Sequence, residues 1–338
     1  MNPFAFARPK SFEHAAELLT NHAYSLPVIK AGGMDVLDRC KEGITQPDLL
    51  VDIKPLRWQG AAEPIAMLAT GADSTTISIG ATTTLAQIAA SPLIREHAPA
   101  LAQAAGDAAS PQIRNVATIA GNLLQRPRCW YYRNQQFNCL KKGGHHCFAV
   151  DGEHRYHAIF GDGPCYMVHP SSLAPVLYVL NGTVHVVGDD REAVPVNRLF
   201  HTPEHGILDE HNLRAGEVIT HITLRRWAHS GFYAIKEREM FDWPLAMAAV
   251  GLELDGNTIV SASVCAGAVA PVPWPLPRVE HALRGVRVDD DCALRDACGI
   301  AGEGAQPLAE NGYKARLVTV AVRRAVVRAA GLDVEAPS

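Results

Sequence analysis

The sequence lacks several features that would each define a class of protein. It has no uninterrupted apolar run near the ~18 residues of a membrane-spanning helix. Its formal net charge is −4 and no basic face stands out, so we expect no nucleic-acid partner. The amino-terminal segment MNPFAFARPKSFEHAAELL has no apolar core before a cleavage site and no twin-arginine pair. We therefore expect neither a membrane span nor an export signal.

Familiar catalytic patterns are missing as well. We find no Ser/His/Asp order, no HExxH, no Walker loop, no paired-carboxylate signature and no GxGxxG fingerprint. We predict that the chain contributes no catalytic residue of its own. Redox chemistry, if any, would then be supplied by bound cofactors that the protein positions and tunes.

Cysteine is scarce for a disulfide-built scaffold, with eight residues in 338. Four are scattered and are predicted to be ordinary buried thiols: Cys40, Cys265, Cys292 and Cys298. The other four fall within one 37-residue stretch: Cys129, Cys139, Cys147 and Cys165. Their separations of 9, 7 and 17 residues contain none of the short Cys-x₂₋₄-Cys knuckles of zinc sites.

Wide, irregular spacing suits a loop wrapped around something larger than one ion. A [4Fe–4S] cluster needs four thiolates, so these four cysteines are predicted to ligate one. Structural zinc, and free thiols or disulfides, stay open as alternatives. The same stretch also holds several histidines, predicted to be surface residues of a polar loop: His145, His146, His154, His157 and His169.

Apolar segments and turn signals divide the chain into three units. The first, 1–56, and the second, 57–224, each read as an α/β module with strands, glycine turns and short helices. The second unit contains the long loop 125–170 with the four clustered cysteines. The third, 225–338, opens on a predicted hairpin around Asp255-Gly256-Asn257 and closes on a predicted helix over 315–330.

Two glycine turns follow apolar segments in separate modules. They are Ala31-Gly32-Gly33 in the first unit and Ala120-Gly121-Asn122 in the second. A turn without a Cβ lets backbone N–H groups approach a phosphate closely, although most glycine pairs are only turns. A pyrophosphate lying between the two modules would use one turn from each.

Several segments resemble the flavin-binding medium subunits of the xanthine dehydrogenase/CO dehydrogenase family of molybdenum hydroxylases. The segments that carry this resemblance are 30–37 (KAGGMDVL), 80–84 (GATTT), 112–122 (QIRNVATIAGN), 216–220 (GEVIT), 236–238 (KER) and 313–316 (YKAR). The resemblance covers nearly the whole chain. Two departures stand out: Ala120-Gly121 where the family often has two glycines, and Ser171-Ser172 where it often has an aspartate second.

The resemblance implies an α+β fold. A two-lobed vanillyl-oxidase-type (PCMH) FAD-binding domain should be followed by a CO dehydrogenase flavoprotein-like C-terminal α+β domain. It also implies the residues near FAD, with Val218 and Lys236 as weaker assignments by the isoalloxazine: Lys30, Ala31, Gly32, Gly33, Met34, Asp35, Val36, Thr83, Ile113, Ala117, Thr118, Ala120, Gly121, Asn122, Val218 and Lys236.

A subset of the family carries a four-cysteine insertion at this place, and the stretch resembles the aldehyde oxidoreductase type. The chain is thus expected to be an FAD- and [4Fe–4S]-carrying electron-transfer subunit. Its expected partners are a large molybdenum-cofactor subunit, a small subunit with two [2Fe–2S] clusters and an external acceptor. Alternatives are a low-potential reductase subunit of the 4-hydroxybenzoyl-CoA reductase type and a non-catalytic subunit with zinc. We expect a cytoplasmic location, or a periplasmic one by export with a signal-bearing partner.

Overall fold

The computed structural model describes residues 1–69 and 75–332. Within them lie twelve strands: β1 (Ala5–Ala7), β2 (Pro27–Lys30), β3 (Leu49–Asp52), β4 (Ile65–Ala69), β5 (Thr75–Gly80), β6 (Thr183–Val187), β7 (Ala193–Pro195), β8 (Val218–Arg225), β9 (Ser230–Ile235), β10 (Ala246–Asp255), β11 (Thr258–Gly267) and β12 (Trp274–Pro275). Across this same part of the chain, no helix combines the length and hydropathy of a bilayer-crossing segment.

The helices are mostly short. Twelve α-helices occur in the described residues: α1 (Phe12–Leu19), α2 (Val36–Lys41), α3 (Leu85–Ala90), α4 (Pro92–His97), α5 (Pro99–Asp107), α6 (Pro111–Arg114), α7 (Ile119–Leu123), α8 (Trp130–Arg133), α9 (Ala174–Val179), α10 (Pro277–Leu283), α11 (Asp291–Gly299) and α12 (Tyr313–Ala329). Many begin at a Ser or Thr whose hydroxyl accepts a backbone N–H. Thr84, for example, forms a reciprocal capping box with Gln87 at the start of α3.

The first lobe is a three-stranded parallel sheet in the order β1-β3-β2. Its central strand β3 is buried along its whole length, as expected for a parallel strand covered on both faces. Helix α1 begins where the Ser11 hydroxyl accepts the N–H of His14. The first glycine turn joins the end of β2 to the start of α2, and so lies at the carboxyl end of the sheet.

The second lobe is a five-stranded antiparallel sheet in the order β4-β5-β8-β6-β7. Strand β8 lies between β5 and β6, although about 140 residues separate it from β5 in sequence. Local patterns cannot show this pairing, because β8 meets its neighbours only after the helices and the cysteine stretch have been traversed. One continuous hydrophobic core joins the two lobes.

The C-terminal domain is a four-stranded antiparallel sheet, β12-β11-β10-β9, with α12 packed on β9 and β10. The predicted hairpin is confirmed, with Asp255 paired to Thr258 across its turn. Both faces of β10 are buried. Alternate side chains point to opposite faces of a strand, so they enter two different cores. Met247 and Ala249 face the core of the lobes, whereas Ala248 and Val250 face a second core under α12.

Candidate functional site

The first glycine turn joins β2 to α2 and leaves backbone N–H groups free to bind a ligand. Lys30 ends the strand and forms an ion pair with Asp52, with 3.0 Å between Nζ and Oδ1. Gly33 has a φ of 83°, a conformation that side chains with a Cβ rarely adopt. Within the described residues, no acceptor is paired with the N–H of Gly32, Gly33 or Met34. Gly33 is buried, where unpaired N–H groups are rare, so this turn has the donors that an anion would need.

The prediction of a second glycine turn is wrong in detail, because Ala120, Gly121 and Asn122 lie within helix α7. Residues 116–122, which lead into and begin that helix, are called the second glycine turn below. Helix α7 begins after Thr118, whose hydroxyl accepts the N–H of Gly121 at 3.1 Å. The N–H of Ile119 donates to the carbonyl of Thr83 at 3.0 Å, which ties this turn to the loop before α3. A Cβ at Gly121 would lie 2.9 Å from the Thr118 hydroxyl. Glycine at this position therefore keeps the capping bond and the close backbone geometry together.

The first glycine turn lies against Val116 and Ala117, the residues that lead into α7. A Cβ built on Gly32 would lie 2.4 Å from the carbonyl oxygen of Val116 and 3.2 Å from the Cα of Ala117. Backbone atoms cannot move aside as a flexible side chain would, so only glycine allows this approach. The structure thus brings together the two segments that the sequence placed in separate modules.

The remaining predicted flavin residues divide between these turns and other places. Ile113 lies on α6, and its carbonyl accepts the N–H of Ala117 at 2.8 Å. The side-chain oxygen of Asn122 accepts the Ser171 hydroxyl at 2.6 Å, so Asn122 fixes the segment after the cysteine stretch. Residues that lie in or directly beside the two turns are Lys30, Ala31, Gly32, Gly33, Met34, Asp35, Val36, Thr83, Ala117, Thr118, Ala120, Gly121 and Asn122.

Val218 and Lys236, the weaker assignments, lie on other strands. Val218 opens β8 and is buried in the core shared by the two lobes. Lys236 follows β9, and its ammonium pairs with the carboxylate of Asp107 at 2.9 Å. That pair attaches the C-terminal domain to the end of α5, close in sequence to α6.

Asp35, at the start of α2, forms ion pairs with three guanidinium groups. The Nε of Arg39 is 2.9 Å from its carboxylate, and terminal nitrogens of Arg128 and Arg133 lie at 3.0 and 2.6 Å. Burial alone would raise the pKa of Asp35, but the three positive charges outweigh it and lower that pKa. Arg128 immediately precedes Cys129, so one carboxylate connects the first glycine turn with the cysteine stretch.

The four clustered cysteines line a single cavity. Cys129 precedes α8, Cys139 precedes a short 3₁₀ turn, and Cys147 and Cys165 complete the set. The other residues that line this cavity are Tyr131, Tyr132, Leu140, Lys141, Phe148, Ala149 and Met167. A stretch without periodicity thus converges on one largely apolar interior.

The thiols of this cavity interact with one another. The Cys165 thiol donates to the Cys147 sulfur, which lowers the pKa of Cys147 and raises that of Cys165. Burial raises the pKa of Cys129 to about 11. All eight cysteines are free thiols. Across residues 1–69 and 75–332, no three His, Cys, Asp or Glu side chains are grouped as ligands of a metal ion.

The histidines of the cysteine stretch correct the prediction that all five are surface residues. His145 and His146 are exposed, but His154, His157 and His169 are buried. The Nε2 of His157 lies 3.2 Å from the sulfur of Cys129. Likewise, of the scattered cysteines predicted to be buried, Cys292 is exposed, since it lies on the outer face of α11.

The C-terminal domain supports the cysteine stretch from behind. The ammonium of Lys314, at the start of α12, donates to the carbonyls of Tyr156 and His157, each at 3.0 Å, and to that of Ala268 at 2.7 Å. The amide of Asn311 donates to the same carbonyl of His157 at 3.2 Å. Lys314 is fully buried, so these bonds are protected from water.

Sequence reasoning missed these connecting residues. Arg128 and Arg133 flank the first cysteine, and this local concentration of arginine was the available signal. Nothing in sequence marked Lys314 as buried, because lysine is usually exposed and its acceptors lie 157 and 158 residues away along the chain.

Two family descriptions match successive parts of the chain. "FAD binding domain in molybdopterin dehydrogenase" matches residues 2–227, and "CO dehydrogenase flavoprotein C-terminal domain" matches residues 231–329. The first match covers both lobes, and the second covers the four-stranded domain and its helices.

Individual proteins give the same result. The aldehyde oxidoreductase FAD-binding subunit PaoB of Escherichia coli K12 is 30% identical over 84% of this chain and 85% of its own length. The carbon monoxide dehydrogenase medium chain of Hydrogenophaga pseudoflava is 25% identical over 79% of this chain and 75% of its own. The reconstituted CO dehydrogenase from Oligotropha carboxidovorans shares the fold, with a TM-score of 0.73 at 22% identity, covering 98% of this chain and 99% of that one.

Proposed function

Because this chain belongs to the FAD-binding medium subunits of the xanthine dehydrogenase/CO dehydrogenase family of molybdenum hydroxylases, we propose that it is an electron-transfer subunit carrying FAD and one [4Fe–4S] cluster. As a member of that family it is an oxidoreductase subunit with an FAD-binding domain, and its fold is the α+β arrangement expected from sequence. The cluster, its ligands and the direction of electron flow are the parts that we propose.

The FAD pyrophosphate would lie at the contact between the two glycine turns. Three unpaired N–H groups, from Gly32 to Met34, are available there, and an anion accepts from such groups readily. The Val116 carbonyl approaches Gly32 so closely that a Cβ there would clash, so glycine allows this backbone contact. The turn residues are therefore proposed to bind the pyrophosphate and ribityl chain, with Ile113, Val218 and Lys236 farther along.

The single observation that supports the cluster is the convergence of Cys129, Cys139, Cys147 and Cys165 on one cavity. Four sulfur donors and an apolar surround match the ligand set of a [4Fe–4S] cluster, which takes one thiolate per iron. Without metal, two of these thiols disfavour the thiolate: burial raises the pKa of Cys129, and the hydrogen bond to Cys147 together with burial raises that of Cys165. Iron would supply the positive charge that stabilises all four as thiolates.

Asp35 supports an arrangement in which the two cofactors function together. It follows the first glycine turn and binds Arg128, which adjoins a proposed cluster ligand. When bound, the cluster would exchange single electrons and FAD one or two. Asp35 and Arg128 would thus link the proposed FAD site to the proposed cluster site through one ion pair.

The partners follow from the proposed role. A large subunit with the molybdenum cofactor would oxidise the substrate, an aldehyde or an aromatic heterocycle, and a small subunit would hold two [2Fe–2S] clusters. Electrons would reach the FAD here and leave to an external acceptor. The reverse direction, as in a low-potential reductase, differs only in the order of the potentials. The location is proposed as cytoplasmic, or periplasmic by export beside a signal-bearing partner.

The test is a visible spectrum of the anaerobically purified chain, with iron, acid-labile sulfide, zinc and flavin analysis. We expect a flavin band together with about four irons and four sulfides per chain. The variant Cys147→Ser should lose iron and keep flavin, whereas Cys292→Ser, at an exposed cysteine far from the cavity, should keep both.

Each other outcome overturns a defined part of this proposal. Flavin without iron in the anaerobically purified wild type would contradict the cluster assignment and leave an FAD subunit of the family. Zinc in place of iron would favour the non-catalytic alternative. Iron that survives in the Cys147→Ser variant would show that another residue completes the ligand set.

A further inference from the structure

A buried imidazole lies against the proposed cluster ligand Cys129. The Nε2 of His157 is 3.2 Å from the Cys129 sulfur. His157 is 4% exposed, and its ring packs against those of Trp130 and Tyr131, with centroids 5.4 and 6.1 Å away. No other histidine nitrogen among the described residues is paired with a cysteine sulfur.

The surroundings of His157 select one tautomer. Its second ring nitrogen, Nδ1, is buried and has no hydrogen-bond partner within the described residues. A proton on Nδ1 would be an unpaired buried donor, at a cost of roughly 1–3 kcal/mol. A proton on Nε2 instead points at the Cys129 sulfur, so the neutral ring carries its proton there.

The position of the ring is fixed through its backbone. The His157 carbonyl accepts from the Lys314 ammonium at 3.0 Å and from the Asn311 amide at 3.2 Å. Both donors belong to the C-terminal domain. These bonds fix the backbone from which the ring extends, and packing against Trp130 and Tyr131 limits where the buried ring can go.

We propose that His157 donates an N–H···S hydrogen bond to the Cys129 thiolate and thereby raises the reduction potential of the cluster. This inference rests on the proposed function. A cysteine that ligates iron is a thiolate and has no proton of its own, so it must be the acceptor. Reduction adds negative charge to the cluster and its sulfur ligands, which strengthens a bond from an N–H donor and favours the reduced state. His157 is thus a positioning and tuning residue, and the cysteines remain the ligands.

The experiment compares potentials of the full-length protein in an EPR-monitored redox titration. His157→Phe keeps a ring of similar size and removes the donor, while His157→Gln restores an N–H at similar reach. His145→Phe is the matched control, because His145 is exposed in the same stretch. We expect the equilibrium constant for one-electron reduction to fall about tenfold in His157→Phe, a shift of ~59 mV to more negative potential. His157→Gln should recover part of that shift, and the control should show none.

A second measurement covers the case in which His157→Phe loses its iron. Wild-type protein labelled with ¹⁵N-histidine should show, in pulsed EPR of the reduced cluster, coupling to one histidine nitrogen and to one exchangeable proton. Iron retained in His157→Phe at the wild-type potential, or no such coupling in the wild type, would overturn the inference and leave the proposed function intact. Wild-type protein that takes up no iron would overturn the cluster assignment itself.

Discussion

Gly32 allows the backbones of the first and second lobes to come into contact. At Gly32 the backbone of residues 116–117 is so close that even one methyl group would overlap the Val116 carbonyl. The sequence showed a glycine turn here, but it could not show what the glycine faces. That contact is tertiary and joins residues some 84 positions apart. Most glycine pairs only form turns, but at Gly32 the glycine is also needed for a backbone contact with Val116.

The variant Gly32→Ala should bind FAD at least tenfold more weakly. The new Cβ, 2.4 Å from a backbone oxygen, would force the two turns apart and move the free N–H groups. Flavin-to-protein absorbance ratios and a fluorescence titration with FAD would measure the loss. Gly299→Ala is the control, since no atom lies within 4 Å of the added carbon. Wild-type FAD affinity in Gly32→Ala would contradict the close approach.

Asp35 connects the first glycine turn to the cysteine stretch through its ion pairs with Arg128 and Arg133. Asp35→Asn should lower the free energy of unfolding by about 3–5 kcal/mol, because three partly buried arginines lose their counter-charge. We also expect FAD and iron contents to fall together. Asp38→Asn is a matched control: Asp38 contacts Arg128 and Arg133 at 3.4 and 3.5 Å but is 47% exposed, so about 1 kcal/mol or less is expected.

Chemical denaturation and cofactor analysis of both variants would check this prediction. A loss of iron without a loss of FAD in Asp35→Asn would show that the two sites are held independently.

At the scale of elements, local patterns predicted what is local. The β10–β11 hairpin, strand β2 before the first glycine turn and the long last helix all follow from periodicity and turn residues. The insertion of β8 between β5 and β6 was not, since strand order depends on contacts across most of the second lobe. The burial of His157 and His169 escaped prediction for the same reason: the stretch is polar in sequence, but the C-terminal domain and the second lobe cover it.

A stack of rings beside the five-stranded sheet of the second lobe should make the free energy of unfolding depend on pH. Trp58, His221 and His185 stack in a row, with ring centroids 3.8 and 4.1 Å apart, and the Thr220 hydroxyl lies 2.9 Å from Nδ1 of His221. Burial, reinforced by the neighbouring His185, lowers the pKa of His221 to about 4. Since an unfolded histidine titrates near ~6.5, the unfolded chain binds more protons between these values.

The stabilising contribution of neutral His221 is therefore complete above about pH 6.5 and is lost as the pH falls toward 4. His221→Phe keeps the stack and removes the titration, so its free energy of unfolding should fall less steeply over that range than that of the wild type. Urea unfolding at several pH values would measure the difference. His22→Phe, at an exposed histidine, should follow the wild type. Parallel curves for His221→Phe and wild type would contradict the prediction.

For the whole molecule, the C-terminal domain is a structural support of the cysteine stretch as well as a separate unit. Family descriptions divide the chain between residues 227 and 231, yet Lys314 and Asn311 donate hydrogen bonds across that boundary to carbonyls of residues 156–158. The sequence could predict two domains but not this dependence, because it arises from three carbonyl groups that the fold gathers around one ammonium.

Lys314→Met should lower the free energy of unfolding by roughly 3 kcal/mol or more, since three buried carbonyls lose their donor. Amide exchange of residues 154–158 should rise selectively as that segment loosens. Arg316→Met, on the exposed face of the same helix, should leave both measurements unchanged. Unaltered exchange in Lys314→Met would mean that the stretch is held by other contacts.

The distance along the chain between Lys314 and the carbonyls it binds also bears on biogenesis. His157 leaves the ribosome 157 residues before Lys314 does. At ~5–20 residues per second, this interval lasts about 8–30 s during synthesis. Three of the four thiols are present from its start and Cys165 follows eight residues later, while Lys314 is not yet made. The bonds from Lys314 to this segment therefore form last, after the cysteine stretch has been made.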